Sequence, residues 1–349
     1  MKRRSFLKVV GRATGCVALG VPSAITQRVA AASAAELPRR VLGRTGAKVS
    51  VVGFPGLALV HYDQARCNAG VRRAFDNGVN YFDVAPAYGE GDAETKLGPA
   101  LQGLERSRFF LACKTKMRDK DKAREELERS LKRLKTDYFD LYQLHHLRLP
   151  EEVKRALGPG GAMETILKAK EEGKVKHIGF SAHTTKAALA ALEGFAFDTV
   201  MFPISFAEYF LFGFGQKVVE AADRRGAAVL AIKPMCRGAW PEGVTKTHQW
   251  WYRPTVDKEE VSLAWRFTLS QKGVVAGIPP SFLDLLDLAI EAGRNYQPIT
   301  EAETDKLKTI AAACKSIFQR EEESVACGPP RRGPLYPDSP HEGCRGIYA

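Results

Sequence analysis

Four polar residues of this chain stand where apolar runs end. Asp83 closes a run that begins at Asn80, and Tyr88 follows it in Asp83-Val-Ala-Pro-Ala-Tyr88. Lys114 follows Phe109-Phe-Leu-Ala-Cys113, and His145 ends Asp140-Leu-Tyr-Gln-Leu-His145. An acid, a phenol, an amine and an imidazole brought to one place can deliver a proton to a substrate oxygen. A donor for carbonyl reduction must be neutral beforehand and able to lose its proton during the reaction. Tyrosine alone fits poorly, with an ordinary pKa of ~10. An ammonium beside it favours the phenolate and lowers that value. The expected roles are therefore Tyr88 as acid, Lys114 as the adjacent charge, Asp83 holding Lys114 protonated, and His145 directing the substrate oxygen. His146 competes with His145; alternation along a strand puts the two on opposite sides and selects His145. A hydrolase built on His145 and Asp83 lacks a nucleophile or a metal cluster in the sequence.

The elements that must position these residues alternate along the chain. Apolar runs at 51–54, 81–84, 109–113, 138–144, 177–180, 199–202, 228–232 and 274–277 read as strands. Helix-patterned stretches at 64–77, 93–103, 120–134, 162–171, 185–193, 215–224, 258–271 and 283–292 lie between or after them. Strict alternation is the signature of parallel βα units, and eight of each fit a closed (β/α)8 TIM barrel, in which residues just past the strand ends meet at one mouth. A doubly wound open sheet competes, but the Gly-x-Gly-x-x-Gly turn it would use for a dinucleotide is absent. Asp119 and Thr184 read as helix N-caps, Gly78 and Gly173 as residues just past helix ends. Residues 44–47 read as a hairpin turn ahead of the barrel, plugging its floor. A further helix is expected at about 300–318, and the Pro-, Gly- and Arg-rich segment 321–349 as an irregular tail. The longest connection, 236–257, carries Trp240, Trp250, Trp251 and Tyr252 and is placed as a lid over the mouth. The loops 55–62, 206–214 and 240–252 are expected to shape the pocket.

The 349 residues are 45% hydrophobic and 26% charged, which reads as globular. The net charge of +12 is unevenly spread: residues 1–35 hold Lys2, Arg3, Arg4, Lys8, Arg12 and Arg28 and no acid, leaving +6 for the rest. No Arg-rich helix or aromatic–basic motif supports nucleic-acid binding, and no uncharged apolar run is long enough for a stable membrane span. Arg3-Arg-Ser-Phe-Leu-Lys8 resembles the twin-arginine export motif, with Ala32-Ser33-Ala34 as a peptidase site. The sequence thus divides into a signal peptide at 1–35, a barrel at 36–320 and a tail at 321–349. A periplasmic or other extracytoplasmic location and the export machinery as partner are the expectation. The seven cysteines form no Cys-x-x-Cys pair, which argues against a metal or iron–sulfur site. Cys113 and Cys236 are expected to pack as small apolar residues, and an oxidising compartment permits a Cys327–Cys344 bridge.

With these residues in view, the chain resembles the aldo/keto reductase family over about 37–315. The likeness rests on Phe82-Asp-Val-Ala-Pro-Ala-Tyr88-Gly with Glu94, Leu97 and Gly98, on Cys113-Lys114, on Asp140-Leu-Tyr-Gln-Leu-His145, and on Lys174-Val-Lys-His-Ile-Gly-Phe-Ser181. The resemblance implies a barrel that binds NADP or NAD across its mouth, with no metal, and passes hydride to an aldehyde or ketone. It makes Asp83, Tyr88, Lys114 and His145 the catalytic tetrad and places Ser181, Lys233, Pro279 and Ser281 in the cofactor cradle. The cradle departs from the family pattern. Ala182 and His183 stand where an Asn follows the Ser, Met201 replaces a Gln, and Ile232 replaces a stacking aromatic. Pro280 and Leu286 fall where Lys and Arg grip a 2′-phosphate. Two readings follow: a nicotinamide-dependent reductase or alcohol dehydrogenase of a small molecule, or a non-catalytic binding or regulatory module that keeps the tetrad as a remnant.

Overall fold

The computed structural model describes residues 36–326. A short antiparallel hairpin, β1 (Arg39–Val41) and β2 (Lys48–Ser50), precedes the main sheet. The eight strands of that sheet follow in chain order: β3 (Gly53–Pro55), β4 (Tyr81–Asp83), β5 (Phe110–Thr115), β6 (Phe139–Leu147), β7 (Val175–Ala182), β8 (Thr199–Pro203), β9 (Ala228–Ile232) and β10 (Val274–Ile278). Each strand pairs with its sequence neighbour in parallel. A parallel bridge from Val52 to Gly277 joins the last strand back to the first. The expected barrel is therefore present, hairpin included.

The register explains why separate motifs meet. Asp83 pairs with Ala112, Lys114 lies two residues beyond Ala112 and pairs with Gln143, and His145 lies two residues beyond Gln143. Because the side-chain period of a strand is two, all five face the same way. That face is the barrel interior, where Tyr81, Phe110, Ala112, Leu141, Met201, Leu230 and Ala276 pack together. Leu42 and Val49 of the hairpin, both fully buried, join the same interior cluster and stop the floor.

The opposite strand faces pack against the surrounding helices in a second, larger core. The helix Lys120–Leu134 shows the pattern: Ala123, Leu127, Leu131 and Leu134 are buried at helical spacing, under a face of Lys, Arg and Glu. Each such leucine stabilises by roughly 1.5–3 kcal/mol. Asp119 and Thr184 are N-caps, accepting from the Lys122 and Ala187 amides. Gly78 and Gly173 adopt left-handed backbone where their helices stop.

Four elements depart from the sequence reading, the first an additional helix at Pro150–Leu157. Residues 206–214 form a helix, Phe206–Phe212, whose Phe206 and Ala207 pack on Leu263, Phe267 and Leu307 away from the mouth. The helix expected at 300–318 ends at Ala312. The segment after it crosses to the mouth and forms a helix at Gln319–Ala326, where an irregular tail was expected. Cys113 and Cys236 are buried as expected, and the described cysteines Cys67, Cys113, Cys236 and Cys314 are unbridged. The export segment and the Cys327–Cys344 pairing lie outside the described residues. Among those residues no helix is long and apolar enough to cross a membrane, and no His/Cys/Asp/Glu group could hold a metal.

Candidate active site

At the ends of β4 and β5 the Lys114 ammonium is bonded on three sides. It pairs with Asp83 Oδ2, donates to the Val84 carbonyl at 3.2 Å, and lies 3.1 Å from the Tyr88 hydroxyl. Lys114 is wholly buried and Asp83 nearly so. The Tyr88 and His145 rings meet edge to face at 5.6 Å, both lining one cavity. The structure brings all four expected residues together.

Their electrostatics differ from the simplest expectation in one respect. Burial alone would lower the Lys114 ammonium, but Asp83 and Tyr88 outweigh it and hold the amine above the ordinary lysine range. Burial raises the Tyr88 phenol, and the neighbouring Lys114 offsets only part of that rise. Tyr88 is therefore firmly neutral at physiological pH rather than pre-ionised. Lys114 acts on the phenolate once it forms.

Close backbone packing fixes this arrangement. A Cβ on Gly56 would sit 2.2 Å from the Asp83 carbonyl oxygen, so only glycine lets the chain leave β3 across the end of β4. Arg118 donates to the His145 carbonyl at 2.8 Å and to the Lys116 carbonyl at 3.0 Å, bracing the end of β6. β6 is irregular there: its register shifts between Leu144 and Leu147, and His146 takes a left-handed φ of 59°. His145 faces the cavity, whereas His146 packs perpendicular to His183 at 4.4 Å. His145 is thus the histidine at the site, though a bulge rather than simple alternation separates the two.

Ser181, Lys233, Pro279 and Ser281 all line the cavity. The Ser181 hydroxyl accepts from the His146 amide at 2.8 Å. Lys233 follows β9 with a left-handed φ of 63°, strain of order 1–3 kcal/mol for a non-glycine residue. Its amine lies 3.4 Å from His183 Nε2 and over the rings of Trp251 and Phe318. Burial pulls it down to about 8. The helix Leu283–Arg294 has Phe282 at its N-cap with no side-chain cap; the Leu283 amide donates to the Tyr62 hydroxyl at 3.3 Å, and the amides that follow it are suited to a phosphate. This end of the site has the kinds of donor that a dinucleotide's phosphates need. The cavity itself is small, about 70 Å³, against roughly 150 Å³ for an engineered apolar cavity that binds benzene.

Its roof is the aromatic lid. Trp250, Trp251 and Tyr252 line it, while Trp240 stays outside and donates to the Trp250 carbonyl at 2.8 Å. Trp250 meets Phe282, and Phe282 stacks on His61 at 4.8 Å. From the other side Phe318, in the strap after the last barrel helix, meets Trp251 and stacks on Phe214 at 4.7 Å. Glu208 anchors this strap through the Ser316 hydroxyl and the Ile317 amide, and Glu321 pairs with Arg148. A Cβ on Gly238, at φ 81°, would lie 2.3 Å from the Lys315 carbonyl oxygen, so lid and strap touch along their backbones.

Sequence reasoning did not single out Gln143, Arg118, Phe318 or Glu321. Gln143 was within reach: stepping back two from His145 names the next inward side chain, which is buried and paired in register with Lys114. Glu94, part of the recognised motif, is instead structural. It is fully buried, pairs with Arg133 at 3.1 Å and accepts from the Cys113 thiol.

The aldo/keto reductase family model matches residues 57–302. L-galactose dehydrogenase of Arabidopsis thaliana is 29% identical over 224 residues, which cover 58% of this chain and 67% of that one. The segments shared with further curated relatives span 35% to 55% of their lengths. Among solved structures, the holo form of an aldo-keto reductase from Bacillus halodurans superposes with a TM-score of 0.64 at 24% identity, covering 82% of this chain and all of that one. An aldo-keto reductase from Klebsiella pneumoniae in complex with NADPH gives 0.61 at 20% identity, covering 79% and 95%. At these identities the structural likeness speaks for the fold.

Proposed function

The chain belongs to the aldo/keto reductase family, and on that premise we propose that it is an NAD(P)-dependent oxidoreductase that reduces an aldehyde or ketone, or oxidises the alcohol, with Tyr88 as the general acid. The observation that carries this reading is the Lys114 ammonium, held by Asp83 and 3.1 Å from the Tyr88 hydroxyl at the cavity wall. A bound nicotinamide supplies the hydride. Tyr88 gives its proton to the carbonyl oxygen, Lys114 stabilises the phenolate left behind, and Asp83 keeps Lys114 charged. His145 orients the oxygen by hydrogen bonding. Ser281 and the amides opening the helix Leu283–Arg294 would hold phosphate oxygens of a bound dinucleotide, and Ser181, Lys233 and Pro279 line the same cavity. The lid excludes water once the pair is bound.

Tyr88→Phe tests the assignment. It removes the proton and leaves the packing, so reduction of a panel of small carbonyls should fall at least ~10²-fold with dinucleotide affinity unchanged. A variant as fast as the parent would remove Tyr88 from the mechanism. Twin-arginine export of the folded, cofactor-loaded enzyme to an extracytoplasmic compartment completes the proposal. It rests on Arg3-Arg-Ser-Phe-Leu-Lys8.

The second reading, a binding or regulatory barrel without turnover, is favoured by one observation. The cavity of about 70 Å³ is small for a nicotinamide and lies beneath a lid pinned on both sides. Calorimetric titration with NADPH and NADH separates the two readings. Heat with either supports the enzyme; none with either supports the module.

A further inference from the structure

Beside the tetrad, the mouth holds a buried cation with which no carboxylate of the described residues pairs. Lys233 is 7% exposed and lines the same cavity as Tyr88 and His145. Its amine has His183 Nε2 at 3.4 Å and the faces of Trp251 and Phe318 at 5.4 and 5.3 Å. Among the described residues no carboxylate pairs with it. The acids nearest in field are engaged elsewhere: Glu321 pairs with Arg148, and Glu208 accepts from Ser316 and Ile317. The other groups around it are Cys236 on its own loop and His146, stacked edge-on against His183.

Two unfavourable features therefore coincide at one residue: a left-handed backbone and an amine taken out of water with no paired carboxylate among the described residues. Ordinary packing explains neither, since a neutral side chain would fill the space without the second. The His183 imidazole beside the amine and the Ser281 hydroxyl line the same cavity. Such a wall can donate several hydrogen bonds and carries positive charge, which is the complement of an anionic oxygen.

We propose that Lys233 and His183 form an anion subsite at the barrel mouth, receiving either a carboxylate on the carbonyl substrate or a phosphate oxygen of the dinucleotide. The proposal rests on the reductase reading only for the choice between these two sources. It deepens that reading by fixing the chemistry at this wall: an aldehyde or ketone that also carries an acid, or a cofactor gripped where the family's usual cradle residues are replaced.

Trp251 lies against the amine, so tryptophan fluorescence of the full-length protein reads binding directly. The probes are inorganic pyrophosphate and succinate. At least one should quench or enhance emission saturably. Lys233→Met should weaken that response at least ~10-fold, while Lys233→Arg keeps it within about threefold, as expected for a buried charge-assisted contact. Circular dichroism establishes that both variants are folded. Lys233→Gly, which suits the left-handed backbone, replaces the methionine variant if that one is unstable. A response to pyrophosphate alone assigns the site to the dinucleotide, and to succinate alone an acid-bearing substrate. A response to both means an anion site open to either. No response to either probe at about 10 mM, or an equal response after removal of the amine, overturns the proposal. Anion binding that survives in an inactive Tyr88→Phe variant upholds the subsite. Anion binding lost from a fully active parent-like enzyme sinks the subsite and leaves the reductase standing.

Discussion

Lys114 has no freedom to act as an ordinary surface lysine, because Asp83, the Val84 carbonyl and the Tyr88 hydroxyl hold its three protons. Lys114→Met should therefore do two things at once. It strands the buried Asp83 carboxyl, which should lower stability by roughly 3–5 kcal/mol in urea unfolding, and it should slow turnover. Lys233 presents the opposite case. Its amine titrates at about 8 in the folded chain against 10.5 ordinarily, because burial disfavours the charge. Between about pH 8 and 10.5 the unfolded chain thus binds more protons, and stability should rise with pH through that window. The penalty at neutral pH is roughly 3 kcal/mol. Urea midpoints of Lys233→Met should exceed the parent's at pH 7, and the gap should close by pH 10.5. At this scale the cluster was legible because Asp83, Lys114 and His145 stand at or near strand ends, with Tyr88 in the turn that follows β4, where position limits what they can do. The state of Tyr88 was not legible. Its charge balance depends on how completely the fold buries the phenol, and local sequence carries no such information.

Among the elements, the strands and long helices were readable from periodicity, and Lys120–Leu134 and Ala162–Glu171 appear with the bounds the pattern gives. The missed helices, Pro150–Leu157, Phe206–Phe212 and Gln319–Ala326, are eight residues or fewer. Segments so short owe their helicity to tertiary contacts rather than to a repeat in the sequence. The bulge in β6 was invisible for a related reason: the left-handed His146 packs against His183, a neighbour supplied by the turn after β7. The strap is the element most open to test. Its helix is tied to the barrel by Glu321 to Arg148 and by Glu322 accepting from the Thr185 amide. Glu321→Gln should lower the local protection of amides 317–325 by roughly 1–3 kcal/mol in hydrogen exchange. Barrel strands should exchange as in the parent. Uniform loss of protection across the molecule would show that the strap does not open on its own.

For the molecule as a whole, half of the net charge of +12 comes from residues 1–35, so the barrel and tail are far less basic than the full chain. That division is what an export leader would produce, and it carries a direct test. Arg3→Lys with Arg4→Lys should leave the protein in the cytoplasmic fraction of its host, while the parent appears outside the inner membrane. Parent and variant fractionating alike would refute twin-arginine transport. Closure of the barrel was legible from eight alternating units, but the roof was only half so. The aromatic content of 236–257 marked the lid, while Phe318 and Glu321 sat in sequence that read as helix end and tail.

Leu42 and Val49 stop the far end of the barrel, and this has a consequence for traffic. Among the described residues the mouth is then the one doorway, and whatever departs must leave by the route it came in, past the same tryptophans. Arrival and departure then compete for one passage, and the pace of turnover belongs to the door as much as to the bond-making beneath it.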